Sequence, residues 1–131
     1  MSDIKAMQHL LAGDVALTAV VPAARIVAGT VPQKMALPAV SITHISADWR
    51  KQVSGQSKYC HARVQVMVTA RSYPQKEQIL RLVRAAVPRR PGTVAGVAVE
   101  SILRDQEGAD LDDDEIGIFA RSQDFIVAYN E

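Results

Sequence analysis

Residues 60–87, with the sequence CHARVQVMVTARSYPQKEQILRLVRAAV, decide the fold of this chain. In the first half, apolar side chains alternate with polar or long ones at a period of two residues, which predicts a half-buried β-strand. The apolar set comprises Ala62, Val64, Val66, Val68 and Ala70. One face of the strand is therefore predicted to lie in the core, and the other to meet solvent or a partner.

A helix is predicted to follow at once. The Ser72 hydroxyl is placed to cap it, with Gln75 reaching back to the Ser72 N–H as in a capping box. Pro74 falls in the first turn, where its missing N–H costs nothing, and Pro88 ends the helix. The apolar residues at helical spacing are Ile79, Leu80, Leu82, Val83, Ala86 and Val87, with Lys76, Glu77, Arg81 and Arg84 on the solvent side.

The chain of 131 residues fits one domain, 1–131, which buries roughly two-thirds of its unfolded surface. Cys60 is the single cysteine, which excludes an intrachain disulfide and indicates a reducing compartment. We expect no signal peptide and no membrane span, since the N-terminus is polar and no apolar run approaches about 20 residues. The net charge of +1 predicts no general attraction to nucleic acid.

The order of the patterns predicts an α+β fold: an antiparallel β-sheet of about four strands, with one long helix and a short N-terminal helix packed on one face. Beyond the central strand, the alternating segments are 39–46, 97–104 and 116–129, and 25–27 is a possible short edge strand. In the last strand, Arg121 and Gln123 break the apolar parity, which predicts a bulge or an edge that pairs with another chain.

Two polar segments interrupt these elements. Residues 47–58 are too long for a tight hairpin turn, so we predict a protruding arm, functional or disordered, that carries the only tryptophan, Trp49. Residues 105–115 are predicted to form an acidic loop, either solvated and extended by charge repulsion or in contact with a basic partner. Its carboxylates are Asp105, Glu107, Asp110, Asp112, Asp113, Asp114 and Glu115.

No pattern for catalysis, a cofactor or a metal is found. Asp110, Asp112 and Asp114 have the first spacings of a calcium loop, but Glu115 stands where the turn requires glycine, and Arg121 where a bidentate carboxylate is required. The three histidines are far apart in sequence and are interpreted as ordinary surface or partly buried side chains. Arginines near the end of the long helix are interpreted mainly as a solvated face, with nucleic-acid binding less favoured.

Several stretches in fixed order resemble the phage tail-completion, or tail-terminator, family of long-tailed phages and prophages. They are MQHLLAGDVAL at 7–17, Arg25-Ile26, the Pro32 loop into 36–40, the strand at 62–71 leading into Tyr73 and a helix that closes with 83–87, and QDFIVAY at 123–129. Together the stretches cover nearly the full length of the chain.

The resemblance implies a non-enzymatic virion protein without cofactors, made in the bacterial cytoplasm. Such a protein oligomerises, usually as a hexameric ring, on the last ring of the tail tube. It stops tube polymerisation and offers a surface to the head-tail connector or stopper protein. DNA would pass through the lumen only as cargo. A head-tail joining (neck) or minor tail protein is the alternative that the same features allow.

Three sets of residues are candidates for these contacts. The arm is predicted to dock on the tube, with Trp49 as anchor because aromatic residues dominate interface energetics; its contact residues are Trp49, Arg50, Lys51 and Lys58. The acidic loop is predicted to line the lumen or to pair with basic residues of the next subunit. The candidate subunit interface comprises Arg63, Gln65, Met67, Arg71, Arg81, Arg84, Arg89 and Arg90.

Overall fold

The computed structural model describes residues 2–32, 34–52 and 55–131. Its helices are α1 (Ser2–Ala12), α2 (Val15–Thr18) and α3 (Tyr73–Ala86), with a 3-10 turn at Ala23–Arg25. Its strands are β1 (Ile26–Ala28), β2 (Ala39–Gln52), β3 (Gly55–Ala70), β4 (Gly92–Val94), β5 (Val97–Glu107) and β6 (Phe119–Asn130). None of the described helices is long and apolar enough to cross a membrane.

All described strands belong to one six-stranded sheet with the order β1-β2-β3-β6-β5-β4. The predicted α+β class is confirmed, but the prediction of about four antiparallel strands is wrong in number and in direction. β1 corresponds to the possible edge strand predicted at 25–27, but it runs parallel to β2. β4 was not predicted, because three residues are too few to produce a clear period-two pattern. The short α2 is a third helix, capped by the Asp14 carboxylate, which accepts a hydrogen bond from the Leu17 N–H at 2.9 Å.

The strand and helix of the central stretch form as predicted. The five predicted core residues of β3 are fully buried, and α3 begins after Ser72, whose hydroxyl accepts a hydrogen bond from the Gln75 N–H at 3.3 Å. The second half of the capping box differs, because the Gln75 side chain accepts from the Arg71 N–H at 3.1 Å and not from the Ser72 N–H.

The core lies between one face of the sheet and the helices. Met7 and Leu11 of α1 and Ile79, Leu80 and Val83 of α3 are fully buried with the apolar side chains of β3. Burial of each large aliphatic side chain contributes roughly 1.5–3 kcal/mol. The opposite side of β3 alternates with the buried side and is partly exposed, so the described helices cover one face of the sheet only.

The prediction of a bulge or an edge at the last strand is wrong. β6 lies inside the sheet between β3 and β5, and its pairing with β3 is continuous, without a bulge. Arg121 and Gln123 keep the parity of Phe125, face α3, and find polar partners there. The register shifts occur instead in β2 and β5.

Residues 47–58 are mainly strand and not a loop. β2 continues to Gln52 and pairs with β3 from Gly55 onward, while β6 joins β3 only from Tyr59. The described part of the segment before Tyr59 is therefore a two-stranded extension beyond the rest of the sheet. The sequence did not indicate the strand, because residues 43–50 are exposed on both faces and show no apolar alternation.

Candidate functional site

Both margins of the sheet are largely uncovered in the described part of the chain. β1 pairs only with positions 40–42 of β2, and β4 pairs only with positions 97–99 of β5. Among the described residues, the rest of β2 and the rest of β5 have no neighbouring strand on their outer side. On β5, the Ile102 N–H donates a hydrogen bond to the Arg89 carbonyl at 2.8 Å. Unpaired strand edges are places where another chain can add.

The open face of the sheet carries three of the predicted interface residues, Arg63, Gln65 and Met67, side by side on β3. The Arg63 guanidinium donates to the carboxylates of Asp105 and, at 3.1 Å, Asp124. The hydrogen bond to Asp105 is the main reason why the pKa of Arg63 is raised. Charges on this face are thus paired across three strands.

The other predicted interface arginines lie elsewhere. Arg71 is exposed just beyond the end of β3, and Arg81 is exposed on α3. Arg84 donates to Gln123 at 3.0 Å and pairs with Glu107, so its charge is used inside the subunit. The structure therefore does not bring the predicted interface set together on one surface.

The acidic loop is held to α3 by a buried lysine. Lys76, predicted on the solvent side, is fully buried and donates to Asp110 and Asp112 at 2.8 Å each, with its ammonium 4.0 Å from the centre of the Tyr73 ring. Burial lowers the pKa of Lys76, but the hydrogen bonds that its ammonium donates to both carboxylates outweigh this effect, so the pKa is raised. The same lysine, helped by the Tyr73 hydroxyl, lowers the pKa of Asp110.

The picture of a loop extended by repulsion among seven carboxylates is therefore wrong. Asp105, Glu107, Asp110 and Asp112 are all in ion pairs within the subunit. Arg121 adds a pair with Glu77 and lies 3.4 Å from Asp110. The sequence did not predict these ion pairs, because the partners are far apart in the chain. Lys76, for example, precedes Asp110 by 34 residues and Asp112 by 36.

The tip of the loop is ordered and presents both charge and apolar surface. We define residues 111–117 as the acidic tip. Asp113 and Ile118 exchange backbone hydrogen bonds of 2.7 and 3.1 Å, and the Leu111 N–H donates to the Ala120 carbonyl at 2.8 Å. Leu111 and Ile116 are 60% and 64% exposed. Within the described residues, the carboxylates of Asp113, Asp114 and Glu115 have no ion-pair partner.

The predicted tube contacts lie at and next to the strand extension, with Trp49 at its base, where it pairs with Cys60 of β3. Trp49 is 43% exposed and packs edge-on against Tyr129 with ring centres 6.4 Å apart, so it is a boundary residue and not a core residue. The Arg50 guanidinium lies 5.9 Å from the centre of the Tyr59 ring, and Lys58 is exposed. The Lys51 side chain lies outside the described residues.

Arg89 and Arg90 belong to a groove on the margin of β5. We define the basic groove by Val87, Arg89, Arg90, Leu103 and Arg104, which line two adjoining cavities of about 260 and 290 Å³. Leu103 is 45% exposed between the arginines. In the part of the chain that the structure describes, none of these arginines has an ion-pair partner.

Two of the histidines and the cysteine have local contacts. The His44 imidazole lies 2.5 Å from the buried Asp3 carboxylate, a contact that the sequence did not indicate, and the His61 ring contacts Tyr59. Cys60 is buried, and burial raises its pKa. No group of three or more potential metal ligands is assembled among the described side chains.

The chain is similar to known proteins over nearly its whole length. A family model described as "Tail completion protein gp17" matches residues 5–130. A chain of the solved structure titled "Virion of native gene transfer agent (GTA) particle" superposes with a TM-score of 0.73 at 12% identity, covering 96% of this chain and 92% of that chain. A second solved chain superposes with a TM-score of 0.68 at 15% identity, covering 100% and 96%. No curated protein matches the chain.

Proposed function

Because the chain belongs to the phage tail completion family, as a structural component of the virion tail, we propose that it is the tail terminator: a hexameric ring that caps the tail tube. The ring stops tube polymerisation and offers its other surface to the head-tail connector. Family membership over residues 5–130 is the observation that carries the proposal.

The uncovered surfaces support a protein that works by assembly. One face of the sheet has no described helix on it, and among the described residues β2 beyond position 42 and β5 beyond position 99 have no neighbouring strand on their outer side. A closed ring needs a heterologous contact, in which two different surfaces of each subunit meet its two neighbours. Free margins on opposite sides of the sheet supply such different surfaces.

The strand extension is the proposed tube contact. It stands beyond the part of β3 that pairs with β6, and Arg50, Lys58 and, at its base, Trp49 are exposed there. A half-exposed tryptophan that a partner can cover is typical of an interface anchor. The open face with Arg63, Gln65 and Met67 is proposed as a further assembly surface, next to neighbouring copies.

Particles that lack this protein provide the test. The gene is deleted in the phage-like element that encodes it, and tail lengths are measured by negative-stain electron microscopy. A terminator predicts overlong tails without heads, and restoration of normal length by the wild-type chain. Tails of normal length that fail to bind heads would refute termination and assign the chain to head-tail joining.

A further inference from the structure

The basic groove requires an occupant that is both acidic and apolar. It combines the arginines 89, 90 and 104 with the exposed side chain of Leu103. Glu100 also lines it, but this carboxylate accepts a hydrogen bond from Tyr59. Positive charge around an exposed aliphatic side chain selects a partner in which carboxylates flank an apolar group.

The acidic tip has the matching chemistry. Among the described residues, Leu111 and Ile116 are the two most exposed large aliphatic side chains after Val15. Between them in sequence lie Asp113, Asp114 and Glu115, whose carboxylates have no ion-pair partner in the described part of the chain. The tip is held in shape by its backbone bridge and fixed to the body through Lys76. Such a tip meets a partner without a large ordering cost.

The tip and the groove of one chain cannot meet. The tip is anchored at Lys76 in the first turn of α3, and the groove includes Val87 just after the end of α3. At about 1.5 Å per residue these positions are separated by about 16 Å along the rigid helix. The tip of one chain can therefore meet only the groove of another molecule. A second copy of this chain has that groove.

We propose that the acidic tip of one copy inserts into the basic groove of the next copy, with Leu111 and Ile116 against Leu103 and the tip carboxylates against the arginines. The inference rests on the proposed ring and names the contact that builds it. Because the two surfaces differ, the contact is heterologous and repeats around a ring.

Charge exchange tests the contact. One variant reverses the groove (Arg89→Glu with Arg104→Glu), and a second reverses the tip (Asp113→Lys with Asp114→Lys). Each variant alone opposes like charges, and we expect its association, or its capping of tails that lack the protein, to fall at least about tenfold. An equimolar mixture opposes unlike charges at every contact, and we expect it to recover.

Proximity is tested independently by cysteine trapping. Chains with Leu103→Cys and Ile116→Cys, mixed under mild oxidation in solution and on tails that lack the protein, are expected to form the heterodimeric disulfide. Val15→Cys, at the most exposed large apolar side chain of the described residues and in neither the tip nor the groove, is the control partner for Leu103→Cys.

The outcomes separate this inference from the proposed function. Trapping no faster than with the Val15→Cys control, or reversed variants that cap tails as well as wild type, would overturn the tip-and-groove contact and leave the terminator intact. Normal tail length without the protein would overturn the terminator itself. Circular dichroism and thermal melting of each variant establish that the surface changes leave the fold unaltered.

Discussion

The substitution Lys76→Met tests the interactions that hold the acidic tip against α3. Lys76→Met keeps the length of the side chain and removes the buried ammonium, so that Asp110 and Asp112 lose its two hydrogen bonds of 2.8 Å. Net contributions of hydrogen bonds to charged groups are about 1.5–3 kcal/mol each. The carboxylates rehydrate when the lysine is gone, since their side chains are 39% and 22% exposed, and the cost of desolvating the ammonium is recovered.

Two such bonds sum to about 3–6 kcal/mol, and rehydration of the carboxylates and the recovered desolvation cost reduce this, so we predict that Lys76→Met lowers the free energy of unfolding by about 2 kcal/mol. For a domain of this size that loss corresponds to a fall in melting temperature of roughly 6–10 °C. Urea unfolding, followed by circular dichroism and by the fluorescence of the single tryptophan, measures it. Arg81→Met on the same helix is the matched control, because Arg81 is exposed, and we expect a change within about 0.5 kcal/mol.

The stability difference between wild type and Lys76→Met should depend on pH. The pKa of Asp110 is lowered by folding, so its contribution is present above the ordinary carboxyl range and disappears as the pH falls through the folded value. The pKa of Lys76 is raised, so its contribution is present below the ordinary lysine value and disappears as the pH rises through the folded one. The difference should therefore be greatest between roughly pH 4 and 10. Equal stability of wild type and Lys76→Met across that range would refute the reasoning.

Three further predictions follow from other parts of the molecule. Trp49→Ala should lower the free energy of unfolding by about 1 kcal/mol or less, the contribution of one edge-on contact between a half-exposed ring and Tyr129. It should weaken binding to the tail tube in co-sedimentation, and a large loss of stability would place Trp49 in the core instead. Gly108→Ala should destabilise the fold by about 1 kcal/mol in thermal melts. A Cβ at this position would lie 2.4 Å from the Ser122 hydroxyl and would turn that hydroxyl away from Gln65. In a Ser122→Ala background this loss of stability should disappear. Ring assembly by light scattering should weaken between 0.05 and about 0.5 M salt if charge pairs join the copies, and assembly unchanged by salt would contradict this.

Local patterns predicted the central elements well. Alternation along β3 identified its buried residues, and the Ser72 cap and Pro88 bounded α3, because these signals act over one to four residues. The family resemblance, carried by the order of the same elements, is confirmed by the match over residues 5–130. The edge strand at 25–27 was predicted within one residue of β1, whereas β4 was missed and the strand pairing within 47–58 was not predicted. Three residues, or a polar segment without a buried face, carry little periodicity.

The acidic segment shows where prediction from sequence ended. Seven carboxylates close together indicated repulsion, whereas four of them meet cations that the fold brings from β3, α3 and β6. Lys76 precedes Ile79, Leu80 and Val83 by three, four and seven residues, so helical spacing places it on the buried face of α3, and it was its charge that led to the prediction of a solvent position. It is fully buried, with its ammonium on Asp110 and Asp112 of the loop.

The sequence by itself determined the α+β class, the β3–α3 unit and the family, because hydrophobic period, capping and element order are properties of neighbouring residues. Only the tertiary structure decided which charges are neutralised inside the subunit and which remain available to other molecules. That division depends on distances of a few ångströms between residues far apart in the chain, at which burial and pairing outweigh local repulsion.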